Sequence, residues 1–153
     1  MLRRPVSPHL AAREEGIVIE VGPIRAQVGA ARSDPAVDGV LVELAGGLFS
    51  PLAPRLLNLD VAAALAPSHV ILVAPDRLGV LHDVTAALRA SNAVLRVDWV
   101  LLSTPATPDT STGTNAPELE AFVEVPIAGA LPRASVEELR EHAALSRILS
   151  TFP

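Results

Sequence analysis

The chain has 153 residues, enough for one domain with a buried core, and half of them are hydrophobic while only 3% are aromatic. Its formal net charge is -5 and its basic residues form no cluster beyond Arg3-Arg4, which argues against nucleic-acid binding. The absence of cysteine excludes disulfides and thiol nucleophiles, and no apolar run reaches ~18 residues, so a membrane span is not expected. We therefore expect a cytoplasmic protein with an aliphatic core, as in a parallel sheet covered by helices.

Apolar periodicity, capping residues and turn residues divide the chain into alternating helices and strands. Ser7-Pro8 is a typical helix start, and Ser135 followed by Glu138 is a capping box that opens the last helix. This alternation predicts an α/β fold with a mostly parallel sheet flanked by helices. The predicted helices cover residues 8–15, 23–32, 58–65, 80–89, 117–122 and 135–149, and the predicted strands cover residues 40–43, 69–74, 96–102 and 124–127.

The most informative segment is Val40–Glu43 with the glycine pair that follows it. An apolar run closed by one acid predicts a buried parallel strand that delivers the Glu43 carboxylate to the carboxyl edge of a sheet. Open α/β folds bind their ligands at that edge. Gly46 and Gly47 allow a tight turn and the close approach of a ligand, although an ordinary strand-to-loop turn would also explain them.

Two further segments follow predicted strands. The turn Pro75–Gly79 leads into a helix, and its Asp76-Arg77 pair is expected to be solvated. Residues 103–116 are rich in Ser, Thr, Pro and Gly, and we expect them to be either a mobile loop or a cover over a site. All twelve basic residues are arginines, and the chain contains no GxxxxGK[ST] phosphate-binding loop.

Four motifs, in this order along the chain, resemble the dethiobiotin synthetase family. The first is Pro5-Val-Ser-Pro8-His9-Leu-Ala-Ala, and the second, Val42-Glu43-Leu44-Ala45-Gly46-Gly47, is similar to the family's V-E-G-A-G-G. The third is Val70-Ile-Leu-Val-Ala74 with Leu78-Gly79, and the fourth is Pro126-Ile-Ala-Gly129-Ala-Leu-Pro132. The resemblance implies a P-loop NTPase-like α/β fold and covers nearly the whole chain.

The family closes the ureido ring of dethiobiotin from 7,8-diaminopelargonate, carbon dioxide and ATP, with Mg²⁺. The resemblance therefore implies a ligase of biotin biosynthesis that acts on a small molecule. It also implies that the family's first strand, P-loop and helix are absent from residues 1–153, which we expect to form a single domain incomplete at its N-terminus. This pattern would follow from a truncated gene, a misassigned start or a remnant with another role, and we expect the chain to be inactive alone.

The resemblance assigns roles to particular residues. Glu43 would be a Mg²⁺ ligand near the ATP phosphates; its alternative role is to cap a helix or to pair with an arginine. The substrate would lie along Gly46 and Gly47, and its carboxylate tail would bind at the start of the helix that follows the third motif, across a dimer interface. The residues implied for that tail site are Gly79, Val80, Leu81 and His82. Those implied for nucleotide binding are Ser103, Gly129, Leu131 and Pro132.

The chain departs from the family pattern at several of these positions. Leu44 replaces a glycine, which narrows the substrate pocket, and His82 and Asp83 stand where Asn and His are common. Asp83 would repel a carboxylate, or it would simply favour the helix dipole. Ser103 replaces an adenine-reading Asn, whose paired donor and acceptor a hydroxyl cannot supply, so Thr104 or Asn115 would have to replace it.

Two functions remain open at this point. The first is a dethiobiotin synthetase-type ligase, or the C-terminal part of one. The second is a non-catalytic module that pairs with another subunit, as a homodimer or with a full-length partner, because an incomplete parallel sheet would expose apolar surface. An unrelated α/β domain is a weaker third possibility, against which the four ordered motifs argue.

Overall fold

The structure is a computed structural model that describes residues 2–152. The chain divides into two compact units, one ending at Pro67 and the other beginning at Ser68. The single domain expected for residues 1–153 stays a prediction. Within the described residues, no helix is long and apolar enough to cross a membrane.

The first unit consists of helices and one short hairpin around a small aliphatic core. Leu52, Val61 and Leu65 form the centre of that core, and Leu44 is among the partly buried residues packed against it. The hairpin, in which β1 pairs with β2 in antiparallel orientation, lies inside a segment that the sequence predicts to be a loop. The elements are α1 (Pro8–Glu14), α2 (Val21–Arg32), β1 (Pro51–Ala53), β2 (Leu56–Leu57) and α3 (Asn58–Leu65).

The strand predicted at Val40–Glu43 is wrong. The segment is irregular, and the side chain of Leu41 is 92% exposed, so it is neither paired nor buried as a sheet strand would be. A strand requires a neighbour that satisfies its backbone groups, and within the described part of the first unit β1 and β2 pair with each other. The apolar run predicts a buried strand, but apolarity alone does not supply a strand to pair with.

The second unit is built on a sheet that, within residues 68–152, contains three parallel strands in the order β3-β4-β5. This parallel sheet flanked by helices confirms the predicted α/β class. β4 lies in the middle and its residues Val100 and Leu102 are completely buried. The elements are β3 (Ile71–Pro75), α4 (Val80–Ser91), β4 (Trp99–Ser103), α5 (Asn115–Glu120), β5 (Ile127–Leu131), α6 (Val136–Arg140) and α7 (Ala143–Leu149).

Alternation along β4 sends its side chains into two separate cores. Val100 and Leu102 pack with residues of α4 and α5 on one face, whereas Leu101 packs with residues of α7 on the other. The helix α4 reaches the first core through Val80 and Val84, which are four residues apart and lie on one face of the helix. The sheet is therefore covered on both faces, as its continuous apolar strands require.

The elements differ most from the sequence prediction near the C-terminus. The strand predicted at residues 124–127 begins only at Ile127 and continues to Leu131, so Gly129 lies inside β5. The predicted last helix is broken between Arg140 and Ala143, where the ring of His142 accepts a hydrogen bond from the N–H of Ala144 at 3.3 Å and starts α7. The capping box of Ser135 and Glu138 is confirmed.

Candidate functional site

The predicted tail site lies at the first turn of α4, directly after β3. Gly79 precedes this turn with φ +94°, a left-handed conformation that suits glycine. The N–H of Val80 donates to the carbonyl of Arg77 at 3.1 Å. The N–H groups of Leu81 and His82 belong to the first turn, where the helix itself supplies no acceptors. These N–H groups form the positive end of the helix dipole, which favours an anion.

Charged side chains flank this turn. Asp83 lies in the first turn of α4, and its carboxylate is 3.3 Å from the guanidinium of Arg77. Both side chains are about half exposed, so the pair contributes little to stability. Its effect is local, because the charge of Arg77 offsets the repulsion that Asp83 would exert on an incoming carboxylate.

The expectation that Asp76 is solvated is wrong, since its residue is only 1% exposed. One carboxylate oxygen accepts a hydrogen bond from the N–H of Gly113 at 2.8 Å, and the other accepts from the side-chain amide of Asn115 at 2.6 Å. A carboxylate removed from water needs such donors. Both partners are more than 35 residues downstream, where an analysis of local sequence cannot pair them.

The segment 109–115, which we call the clamp loop, is ordered by a second carboxylate. Asp109 accepts hydrogen bonds from the N–H of Leu78 at 2.8 Å and from both the hydroxyl and the N–H of Ser111. These bonds, led by that from Leu78, lower the pKa of Asp109 to about 2. The Asp-x-Ser spacing is a recognisable turn signal, so this part of the site could have been found in the sequence.

The glycine pair of the second motif lies in a loop held against the start of α3. The fully buried side chain of Asn58 donates hydrogen bonds to the carbonyls of Ala45 and Gly47 at 2.8 and 2.9 Å. Gly46 has φ +83°, and a Cβ added there would lie 2.9 Å from the hydroxyl of Ser50. The loop is therefore fixed by Asn58, a residue that the sequence analysis places only at a helix boundary.

The predicted Mg²⁺ ligand Glu43 lies outside the helices and strands of the first unit. Its side chain is exposed on the irregular segment described above, and within residues 2–152 no three His, Asp or Glu residues are grouped to hold a metal. Mg²⁺ is usually held by one or two carboxylates together with substrate phosphates. The role of Glu43 as a metal ligand stays a prediction.

The residues predicted to bind the nucleotide fall into two groups. Ser103 and Pro132 together line a shallow depression at the carboxyl ends of β4 and β5, along with Arg133, Ser135 and Glu138. Gly129 and Leu131 lie within β5: a Cβ at Gly129 would lie 3.5 Å from the Cβ of Ala144, and Leu131 packs in the core beneath α7.

The two residues offered as replacements for the adenine-reading Asn are both engaged in backbone or side-chain contacts. The side-chain amide of Asn115 donates to Asp76 and Ser111, and the N–H of Thr104 donates to the carbonyl of Leu131. The amide of Asn115 would have to give up these bonds to contact a base, whereas the bond of Thr104 involves only its backbone. Base recognition by these two residues stays a prediction.

The parallel sheet, the helices on its two faces and the loops at its carboxyl edge define an α/β fold of the P-loop NTPase type. A family model described as "AAA domain" matches residues 1–139. The chain belongs to this family and is dethiobiotin synthetase-like.

Curated relatives named "ATP-dependent dethiobiotin synthetase BioD" match most of the chain. The protein from Rhodopirellula baltica is 34% identical over 140 residues, which are 85% of this chain and 54% of that protein. That from Ralstonia nicotianae is 33% identical over 87% of this chain and 57% of its own length. That from Aromatoleum aromaticum is 31% identical over 96% and 64%, respectively. The chain thus spans a little over half the length of these relatives.

Replacing Gly46 by alanine tests the strained loop. The left-handed backbone and the contact with Ser50 should lower the free energy of unfolding by about 1–2 kcal/mol, measured by urea denaturation. Gly47→Ala is the matched control, because a Cβ there would lie 3.9 Å from the same hydroxyl without a left-handed φ. Equal losses in the two variants would contradict this account of the loop.

The carboxylate of Asp109 should titrate with a midpoint of about 2 instead of its ordinary 3.8, followed by the NMR shift of its side-chain carbonyl carbon. Because the folded state depresses this pKa, the stabilisation is complete above pH ~4 and is lost as the pH falls towards 2. Ser111→Ala removes one of the donors and should raise the midpoint. A midpoint near 3.8 in the unchanged chain would show that the clamp loop is not bonded as described.

Proposed function

We propose that this chain provides the substrate-binding part of a dethiobiotin synthetase-like ligase, and that the first turn of α4 binds the carboxylate tail of 7,8-diaminopelargonate. The observation that carries the proposal is the turn itself, in which Gly79 leads into the N–H groups of Leu81 and His82 at the carboxyl edge of the sheet. The names of the relatives, which match 85–96% of the chain in the three cases above, support the same reaction class.

The chemistry of this turn suits a carboxylate. Two first-turn N–H groups and the helix dipole act together on an anion, and the exposed ring of His82 can add a third donor. Arg77 offsets the charge of Asp83, which supports binding despite the acid at that position. The roles of Gly46 and Gly47 toward the substrate stay predictions, and Leu44 packs against the core of the first unit.

The proposal includes ATP as the cosubstrate. The relatives are named as ATP-dependent, which supports ATP as the cosubstrate. The adenine base would lie against the shallow depression lined by Ser103 and Pro132. Mg²⁺ and the role of Glu43 stay predictions, and we assign no catalytic step to them. The cytoplasmic location expected from the composition also stays a prediction.

A second candidate is a non-catalytic module that pairs with another copy or with a full-length subunit. The exposed apolar side chains of Val40, Leu41 and Val42 favour it, because contiguous apolar surface commonly marks an interface. The two candidates make different predictions for the chain alone: the substrate-binding part binds diaminopelargonate without a full-length partner, and the module does not.

Isothermal calorimetry on the chain tests the proposal, with 7,8-diaminopelargonate added in the presence and absence of ATP and Mg²⁺. We expect diaminopelargonate to bind without ATP, because its tail site lies within one compact unit. The His82→Ala variant should bind it roughly tenfold more weakly, the effect of losing one hydrogen bond to a charged group.

His82→Gln is the matched control, since a glutamine amide retains an N–H donor, and it should recover most of the affinity. Failure of the unchanged chain to bind diaminopelargonate would contradict the proposed tail site and leave the pairing module as the better account.

A further inference from the structure

The clamp loop is joined to the turn before α4 by four hydrogen bonds. Three of them reach Asp76: the N–H of Gly113 and the amide of Asn115 donate to its carboxylate, and the hydroxyl of Thr112 donates to its carbonyl at 2.9 Å. The fourth joins the N–H of Leu78 to Asp109. All of these residues belong to the second unit, and they bridge more than 30 positions of the chain.

The clamp loop is also tied within itself. The backbone N–H of Asp109 donates to the hydroxyl of Thr112 at 3.0 Å, and the hydroxyl of Thr114 donates to the carbonyl of Ser111 at 2.7 Å. Together with the bonds from Ser111 to the Asp109 carboxylate, these contacts leave the loop few alternative conformations. A loop that is fixed internally can hold the turn 76–79, to which it is hydrogen-bonded, in one position.

The neighbour that it holds is the turn 76–79. Asp76 anchors one end of this turn at the sheet, where its N–H also donates to the carbonyl of Ser103 at 2.9 Å. Asp109 takes the N–H of Leu78, the residue directly before Gly79. Because Gly79 directly follows these anchored residues, their contacts fix the position from which the first turn of α4 begins.

We infer that Asp76 and Asp109 are positioning residues that fix the first turn of α4 for carboxylate binding. The inference rests on the proposed function and deepens it, because it names what holds the tail site in place. Asp109 contacts the turn through Leu78 and does not occupy the N–H groups of Leu81 and His82, which stay available for an anion.

The charge of Asp109 works against this role. The Asp109 carboxylate contacts Leu78, three residues before Leu81, and its negative charge would repel a substrate carboxylate at this turn. If electrostatic repulsion were the main effect of Asp109, removing its carboxylate would strengthen binding. If positioning is its main effect, removing it weakens binding. The sign of the change in affinity therefore separates the two.

Three variants of the full chain test the inference by calorimetry with 7,8-diaminopelargonate. Asp109→Ala should lower the affinity roughly tenfold, and Asp109→Asn, which keeps an oxygen for the N–H of Leu78, should recover a large part of it. The matched control is Asp98→Ala, because Asp98 accepts the N–H of Val70 at 2.9 Å in the same kind of contact before β3, and this variant should bind normally. Unchanged or tighter binding by Asp109→Ala, or equal loss in Asp98→Ala, would overturn the inference.

Hydrogen exchange distinguishes a failure of this inference from a failure of the proposed function. The amides of Leu78 to His82 should exchange faster in Asp109→Ala than in the unchanged chain, whether or not a ligand binds. If the unchanged chain binds no diaminopelargonate, the proposed function fails while faster exchange still supports the clamp. Unchanged exchange at these amides overturns the clamp itself.

Discussion

A carboxylate that leaves water must be met by hydrogen-bond donors, and this requirement shapes the second unit around Asp76. Asp76 is buried at the carboxyl end of β3, and its donors come from Gly113 and Asn115 in the clamp loop. Satisfying one charge therefore orders a distant loop, and that loop in turn holds the residue before Gly79. The position of the candidate tail site therefore depends on the buried carboxylate of Asp76 and its donors.

The first unit uses an amide in a comparable way. Asn58 is buried at the start of α3 and holds the carbonyls on either side of Gly46, whose left-handed conformation bends the loop sharply. In both units a buried polar side chain at an element end fixes a glycine-containing turn. Such contacts are directional, whereas apolar packing is not, so they are suited to placing backbone groups for a ligand.

Local patterns in the sequence predict much of the fold but little of the network that places the site. The helices α3 and α4 and the strand β4 follow from apolar periodicity and capping residues, and the structure confirms them. The prediction of a strand at Val40–Glu43 is wrong, because an apolar run does not specify which strand it would pair with. The burial of Asp76 does not follow from local sequence, because its donors are distant along the chain and only the tertiary fold brings them together.

The central claim is that the first turn of α4 binds the carboxylate of diaminopelargonate, and NMR titration of the unchanged chain tests it most directly. The account predicts that adding 7,8-diaminopelargonate shifts the backbone amide resonances of Leu81 and His82 more than those of the far end of α4, near Ser91. Saturating ligand that leaves both amides unshifted, or that shifts only residues outside this turn, would contradict it.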